Sequence, residues 1–198
     1  MSLKGKRIAV FVSGHGTNMV HIARYFEGTG VCVAIVITDN AACEAVERAR
    51  ELGIRTQAFT KEEIKFGDNV VALLQSERID LIVLAGFLGQ IGSGLLAAFP
   101  QRIVNLHPAL LPKYGGKGMY GDHVHRAVLS AGEAQSGITI HLVDEQYDHG
   151  TILCQARCKV LPDDTPERLA KRIHRLEYLY YPIVIEDLLK KQDEADEA

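Results

Sequence analysis

Apolar and polar residues alternate along this chain in blocks whose period switches between that of a strand and that of a helix. Lys6–Val12 (KRIAVFV) is a short apolar run leading into Ser13-Gly14-His15-Gly16-Thr17-Asn18, after which Met19, Ile22, Ala23 and Phe26 recur at helical spacing. That pattern predicts strand, glycine turn and helix. Val31–Ile37 predicts a second buried strand, Ala42–Leu52 a helix with charges of mixed sign, and Arg55–Phe59 a third strand. Thr60–Gly67 is expected as a connector to a helix at about Asp68–Ser76, and Asp80–Ala85 (DLIVLA) reads as a central parallel strand, apolar on both faces. Ser93–Ala98 predicts a short helix, Arg102–His107 another central strand, and Val124–Ala131 a helix. Gly137–Val143 and Thr151–Val160 alternate like strands and suit an antiparallel extension. The last helix starts near Asp164-Thr165-Pro166-Glu167, a capping signal with proline early in the helix, and runs to about Lys191. Pro182 is expected to kink or break it, and Asp193–Ala198 to form a frayed acidic tail.

The alternation implies right-handed βαβ crossovers and an α/β fold: a doubly wound, mostly parallel Rossmann-like sheet with an antiparallel extension. With 198 residues and no internal repeat, residues 1–198 are expected to form a single domain with its own core. A net charge of −3 with 24% charged residues leaves no broad basic field for nucleic acid or an anionic membrane, so a small anion must be caught locally. The longest apolar stretches fall far short of the ~20 residues that span a bilayer, and no signal-peptide core opens the chain, which points to the cytoplasm. Met1-Ser2-Leu3 reads as a vector remnant. Cys32, Cys43, Cys154 and Cys158 form no CxxC pair and lie in apolar segments, as reduced core thiols do; zinc spacing is not met, and no metal is expected.

Three stretches carry chemistry. In Ile103-Val104-Asn105-Leu106-His107-Pro108 an apolar strand hands two polar side chains to a proline stop, and residues two apart in a strand share a side of the sheet. An amide and an imidazole at a strand's carboxyl end lie where open α/β sheets bind ligands, although a buried turn-former and a core histidine would give the same pair. Ser13–Asn18 places glycines between a strand and a helix, so that Gly16, Thr17 and Asn18 can hold a monophosphate at the helix N-terminus. The turn is no Walker loop, and Met19 replaces the third glycine of a dinucleotide fingerprint; with Asp39 as a ribose-binding acid, a nicotinamide enzyme remains an alternative, as does a plain structural turn. His141–Gly150 packs carboxylates and histidines after a strand; Asp144 and Glu145 suit a solvated loop, whereas Asp148, before His149-Gly150 and a returning strand, can aim at Asn105 and His107 and favour a charged imidazole. Lys113–Asp122 has four glycines in ten residues and predicts a surface loop, with Met119, His123 and His125 suiting either a substrate-side lid or a His-x-His metal pair.

Taken together, Ser13-Gly14-x-Gly16-x-Asn18, Leu84-Ala85-Gly86-Phe87, Asn105-x-His107-Pro108-x-Leu110-Leu111-Pro112 and Asp148-x-Gly150 resemble the phosphoribosylglycinamide formyltransferases, the folate-dependent formyltransferase family of de novo purine synthesis. The resemblance covers nearly the whole chain. It implies the formyltransferase fold, 10-formyltetrahydrofolate as co-substrate, and glycinamide ribonucleotide as formyl acceptor. It further implies that Asn105, His107 and Asp148 are the catalytic group and that Gly16, Thr17 and Asn18 bind the substrate phosphate. Glu177 would contact the sugar or glycinamide, although spacing alone makes it an exposed helix charge. Phe87, Leu88, Gly89, Gln90 and Ile91, with Asp144 and Glu145, would line the folate pocket. The remaining alternatives are formyl transfer to another amine, formylfolate hydrolysis, or a non-catalytic nucleotide-binding module.

Overall fold

The computed structural model describes residues 3–196; Met1, Ser2 and the last two residues of the expected acidic tail lie outside them. The strands are β1 (Arg7–Val12), β2 (Cys32–Thr38), β3 (Thr56–Ala58), β4 (Leu81–Leu84), β5 (Ile103–His107), β6 (Gln135–Leu142) and β7 (Ile152–Lys159). They form one sheet in the order β3-β2-β1-β4-β5-β6-β7. β1 to β5 run parallel, while β6 is antiparallel to β5 and β7 to β6. Because the chain moves one way from β1 through β2 to β3 and then returns to β4 on the other side, the order reverses between β1 and β4. The crevice outside those carboxyl ends is where such sheets take ligands.

The period-two pattern of the strands feeds two cores. Ile8, Val10, Leu81, Val83 and Val104 face helices α1 (Thr17–Phe26), α2 (Glu44–Glu51), α6 (Asp122–Ser130) and α7 (Pro166–Asp196). Ala9, Phe11, Ile35, Ile37, Ile82 and Leu84 face the helices α3 (Lys61–Phe66), α4 (Asp68–Ser76) and α5 (Ser93–Ala98). Both faces of the parallel strands are thereby covered, which is why they read as unbroken apolar runs. Leu3, set aside in the sequence as vector-derived, is buried in the first of these cores.

Three expectations need correction. The stretch 60–67 is not a plain connector but contains α3: Thr60 Oγ1 accepts from the Glu63 N–H at 3.2 Å while the Glu63 carboxylate accepts from the Thr60 N–H at 2.7 Å. That reciprocal cap nucleates a helix too short for periodicity to reveal. Pro182 does not break α7, which continues to Asp196. The proline removes the N–H that would reach the Tyr178 carbonyl, but Leu169, Ile173, Tyr181, Ile185 and Leu189 form one buried stripe on both sides of it and hold the helix to the sheet. Cys32, expected in the core, is exposed at the start of β2, and the other three cysteines are partly buried.

Candidate active site

A cavity of about 530 Å³ opens at the carboxyl ends of β1, β4 and β5. Its wall includes Gly16, Thr17, Asn18, Phe87, Leu88, Gly89, Gln90, Ile91, Asn105, His107, Asp144, Glu145, Asp148 and Glu177. Asp39 is not among the lining residues, and its Oδ1 is buried without a hydrogen-bond partner among the described residues.

At one end lies the turn after β1. Gly16 is the N-cap of α1 with φ +73°, and no side chain caps that helix, so the first-turn N–H groups face the cavity's end without an intrahelical partner. A Cβ on Gly16 would stand 2.6 Å from Ala45 Cβ, which makes glycine a packing requirement as well as a conformational one. Asn18 Nδ2 donates to Glu177 Oε2 at 2.9 Å. Glu177 is only 5% exposed; burial pushes its carboxyl up, against the pull of His174 and the Asn18 bond. The exposed helix charge that spacing suggested is therefore a buried acid facing the cavity.

The segment after β4 forms a second wall. Ser13 N–H donates to the Gly86 carbonyl at 3.1 Å and Leu88 N–H to Ser13 Oγ at 3.0 Å, so this wall is tied to the turn after β1. Phe87 packs edge-on against Phe11, and a Cβ on Gly89 would lie 2.5 Å from the Phe87 ring.

Polar groups converge where β5 emerges. Asn105 and His107 share a face of that strand, and Asp148 reaches them from the loop between β6 and β7, in a left-handed conformation with φ +56°. Such a conformation in a residue other than glycine persists only where its surroundings hold it. Its Oδ2 lies 3.3 Å from His107 Nδ1 and accepts from the Gly116 N–H at 2.9 Å; its Oδ1 lies 3.4 Å from Asn105 Nδ2. Gly150 permits the approach, since a Cβ there would stand 1.9 Å from the Leu142 carbonyl oxygen.

His107 donates Nε2–H to the Tyr114 carbonyl at 2.7 Å. With that hydrogen spent, Nδ1 donates to the Asp148 carboxylate only when the imidazole takes up a second proton. Burial pushes the His107 pKa below the ordinary value; Asp148 and the Tyr114 carbonyl pull it back, and His141 lowers it again. Asp148 thus favours the charged imidazole, in the expected direction, while desolvation is the larger effect and sets the net fall. Burial likewise raises Asp148, yet the imidazoles of His141 and His107 and the Gly116 N–H outweigh it and hold the carboxyl below its usual range.

His141 completes the cluster and was not singled out in the sequence. It is 2% exposed on β6, directly across from Asn105. Its Nδ1 donates to the Leu142 carbonyl at 2.8 Å; in the neutral ring Nε2 accepts from Asn105 Nδ2 at 3.1 Å, and in the charged ring Nε2–H faces Asp148 Oδ1 at 3.6 Å. This fixes which end of the Asn105 amide faces the cluster. The signal was the antiparallel pairing of Gly137–Val143 with β5; within its own run, His141 reads as a core histidine.

The glycine-rich loop contributes Gly116–Gly121 to the wall. His125 is buried on α6 with Nδ1 unpartnered among the described residues, and His123 is exposed. Among the described residues no group of three or more His, Cys, Asp or Glu is placed to hold a metal ion. No helix among them is long and apolar enough to cross a membrane.

The cavity thus has the uncapped N-terminal turn of α1 at one end and an amide, an imidazole and a carboxylate in mutual contact at the other. Residues 6–185 match the family model described as formyl transferase, and the chain belongs to that family. It is 42% identical to a chloroplastic phosphoribosylglycinamide formyltransferase of Arabidopsis thaliana over 187 residues, 91% of this chain and 64% of that protein. It thus spans just under two thirds of that plant relative. With the phosphoribosylglycinamide formyltransferase of Bacillus subtilis (strain 168) it shares 34% identity over 98% of this chain and 100% of the relative. A solved structure of the Streptococcus pneumoniae TIGR4 phosphoribosylglycinamide formyltransferase superposes with a TM-score of 0.83 at 40% identity, covering 92% of this chain and 98% of that one. The fold is accordingly the formyltransferase fold.

Proposed function

We propose that this protein transfers the formyl group of 10-formyltetrahydrofolate to the primary amine of glycinamide ribonucleotide, a step of de novo purine biosynthesis. The observation that carries this reading is the contact of Asp148 with both His107 and Asn105 at the mouth of β5, in the same cavity as the uncapped turn of α1. Residues 6–185 belonging to the formyl transferase family supports it, as do the names of the relatives.

In this reading Gly16, Thr17 and Asn18 bind the phosphate, and Glu177 binds the sugar or glycinamide. Phe87–Ile91 with Asp144 and Glu145 line the folate site. The cavity volume lies within the range of small-molecule sites. The substrate amine is the nucleophile: its nitrogen bonds to the formyl carbon as the bond from that carbon to the folate nitrogen breaks. Asn105 donates one amide hydrogen to the oxyanion that forms in between, a contribution of roughly 3 kcal/mol for a well-aimed donor. The hydrogen directed at Asp148 makes the longer of the two bonds, 3.4 Å against 3.1 Å, and is the one a substrate oxyanion takes over. His107 and Asp148 take the proton released by the amine and return one to the leaving nitrogen. The binding energy of the remote phosphate holds the amine in line.

We treat the chain as a single domain on the strength of its one continuous sheet. A cytoplasmic setting belongs to the same proposal and rests on the four unpaired thiols, which suit a reducing compartment. The test is to mix protein, glycinamide ribonucleotide and 10-formyltetrahydrofolate and to follow tetrahydrofolate release. Release that requires the ribonucleotide and yields its formylated product is expected; release at the same rate without it would favour formylfolate hydrolysis and overturn the assignment.

A further inference from the structure

Tyr181 is completely buried in the middle of α7, and its hydroxyl reaches two backbone carbonyls, Leu84 at 2.9 Å and Val104 at 3.1 Å. A phenol has a single hydrogen, so the two carbonyls share it. They belong to neighbouring strands at the place where these part. The last matched pairs of β4 and β5 are Val83 with Val104 and Leu84 with Asn105. Beyond them β4 is drawn toward β1, as Ala85 N–H donates to the Phe11 carbonyl at 2.9 Å and Ser13 N–H to Gly86. β5 instead runs on beside β6 to His107. Tyr181 stands under this fork.

One prong leads within three residues to Phe87 and the folate-side wall; the other begins with Asn105. One helical turn earlier on α7, and therefore on the same face, Glu177 is held by Asn18. A single turn of one helix thus touches the acceptor side, the donor side and the strand that carries the catalytic amide. Volume alone does not call for the hydroxyl, since phenylalanine fills the same space, and a buried hydroxyl is costly unless bonded. Burial also holds the phenol far above its ordinary pKa, so it remains a donor throughout the working range.

We propose that Tyr181 is a positioning residue: its shared hydrogen bond sets the separation of the β4 and β5 ends, and with it the alignment of the formyl donor, the acceptor amine and Asn105. This rests on the formyl-transfer reading above. Replacing the hydroxyl by hydrogen lets the prongs relax while both substrate pockets keep their own contacts. Tyr181→Phe should therefore bind both substrates with KM within about threefold of wild type while kcat falls about tenfold, since misplacement by ~1 Å can cost as much as 100-fold. A formyl group no longer aligned with the amine is open to water, so tetrahydrofolate released should exceed formylated ribonucleotide formed. A purely structural role would lower the unfolding temperature without changing that ratio.

The experiment measures kcat, both KM values and the product ratio for wild type and Tyr181→Phe, well below the variant's own unfolding midpoint. Incorporation of 4-aminophenylalanine at position 181, which keeps a donor at the same place, should restore kcat and the ratio. If Tyr181→Phe does not fold, the 4-aminophenylalanine protein still decides the matter through its kcat and ratio, which must match wild type. An unchanged kcat and ratio in folded Tyr181→Phe, or a failure of the donor-bearing variant, overturns the inference and leaves formyl transfer intact. A wild-type protein that transfers no formyl group overturns the functional reading first.

Discussion

Replacing Asp148 with asparagine keeps the shape of the side chain and removes its charge, which tests the proposed catalytic cluster at its centre. The carboxylate lies 3.3 Å from His107 Nδ1, with the imidazole and carboxylate side chains only 4% and 10% exposed, so little solvent screening applies. At an effective dielectric constant of about 20, a full charge pair at this distance is worth roughly 5 kcal/mol. If half of that interaction is present in the transition state, its loss lowers kcat about 70-fold. The sign for His107 follows from the balance at that ring: burial already lowers its pKa and Asp148 opposes the fall, so the variant's His107 should protonate at still lower pH. The bond from Gly116 N–H can be kept by the asparagine carbonyl oxygen, so the fold should survive. The assay is steady-state tetrahydrofolate release across pH, with NMR titration of His107. A kcat within threefold of wild type, or a His107 titration at the wild-type pH, would remove Asp148 from the chemistry.

Asn105→Asp places a second carboxylate beside Asp148 and removes both donors, so kcat should fall at least ~100-fold while ribonucleotide binding measured by calorimetry stays close to wild type. Glu177 titrates above the ordinary range because it is buried, so its contribution to stability is fully present below the unfolded-state pKa and lost as pH rises through the folded one. Glu177→Gln should accordingly raise the unfolding midpoint at pH 8, by about 2–4 °C per kcal/mol relieved, and weaken ribonucleotide binding; a lower midpoint at pH 8 would contradict the buried-acid account. Gly16→Ala forces a Cβ against Ala45 at φ +73° and should cost about 1–3 kcal/mol in chemical denaturation, with unchanged stability refuting the close approach.

How far the sequence disclosed this site depends on how local each signal is. Asn105 and His107 were legible because two residues of one strand, followed by proline, define a face and an end without further information. Asp148 was legible as a reversal between two strands. His141 was not, because its role exists only across the β5–β6 ladder, and a strand's partner is a non-local fact. Glu177 is a similar case: its helix face contains apolar residues on either side, yet its burial depends on α1 supplying Asn18. α3 escaped because six residues give periodicity too few turns, although Thr60 and Glu63 carried a capping signal in plain view. Pro182 does not end α7 for the opposite reason: a local rule for breaking helices is overruled by the packing of α7 along the sheet.

Lys6 precedes β1 and pairs with both Asp80, just before β4, and Asp193 in the last turns of α7, while Gln192 donates to the carbonyl of Gln101 ahead of β5. These contacts lie at the amino ends of the parallel strands, the opposite edge of the sheet from the cavity. The first and last described stretches of the chain are therefore clasped together by one ammonium group, about the length of a strand away from the cavity. A change at Lys6 alone therefore loosens the approaches to β1 and β4 and the last turns of α7 together, at the edge of the sheet remote from the cavity.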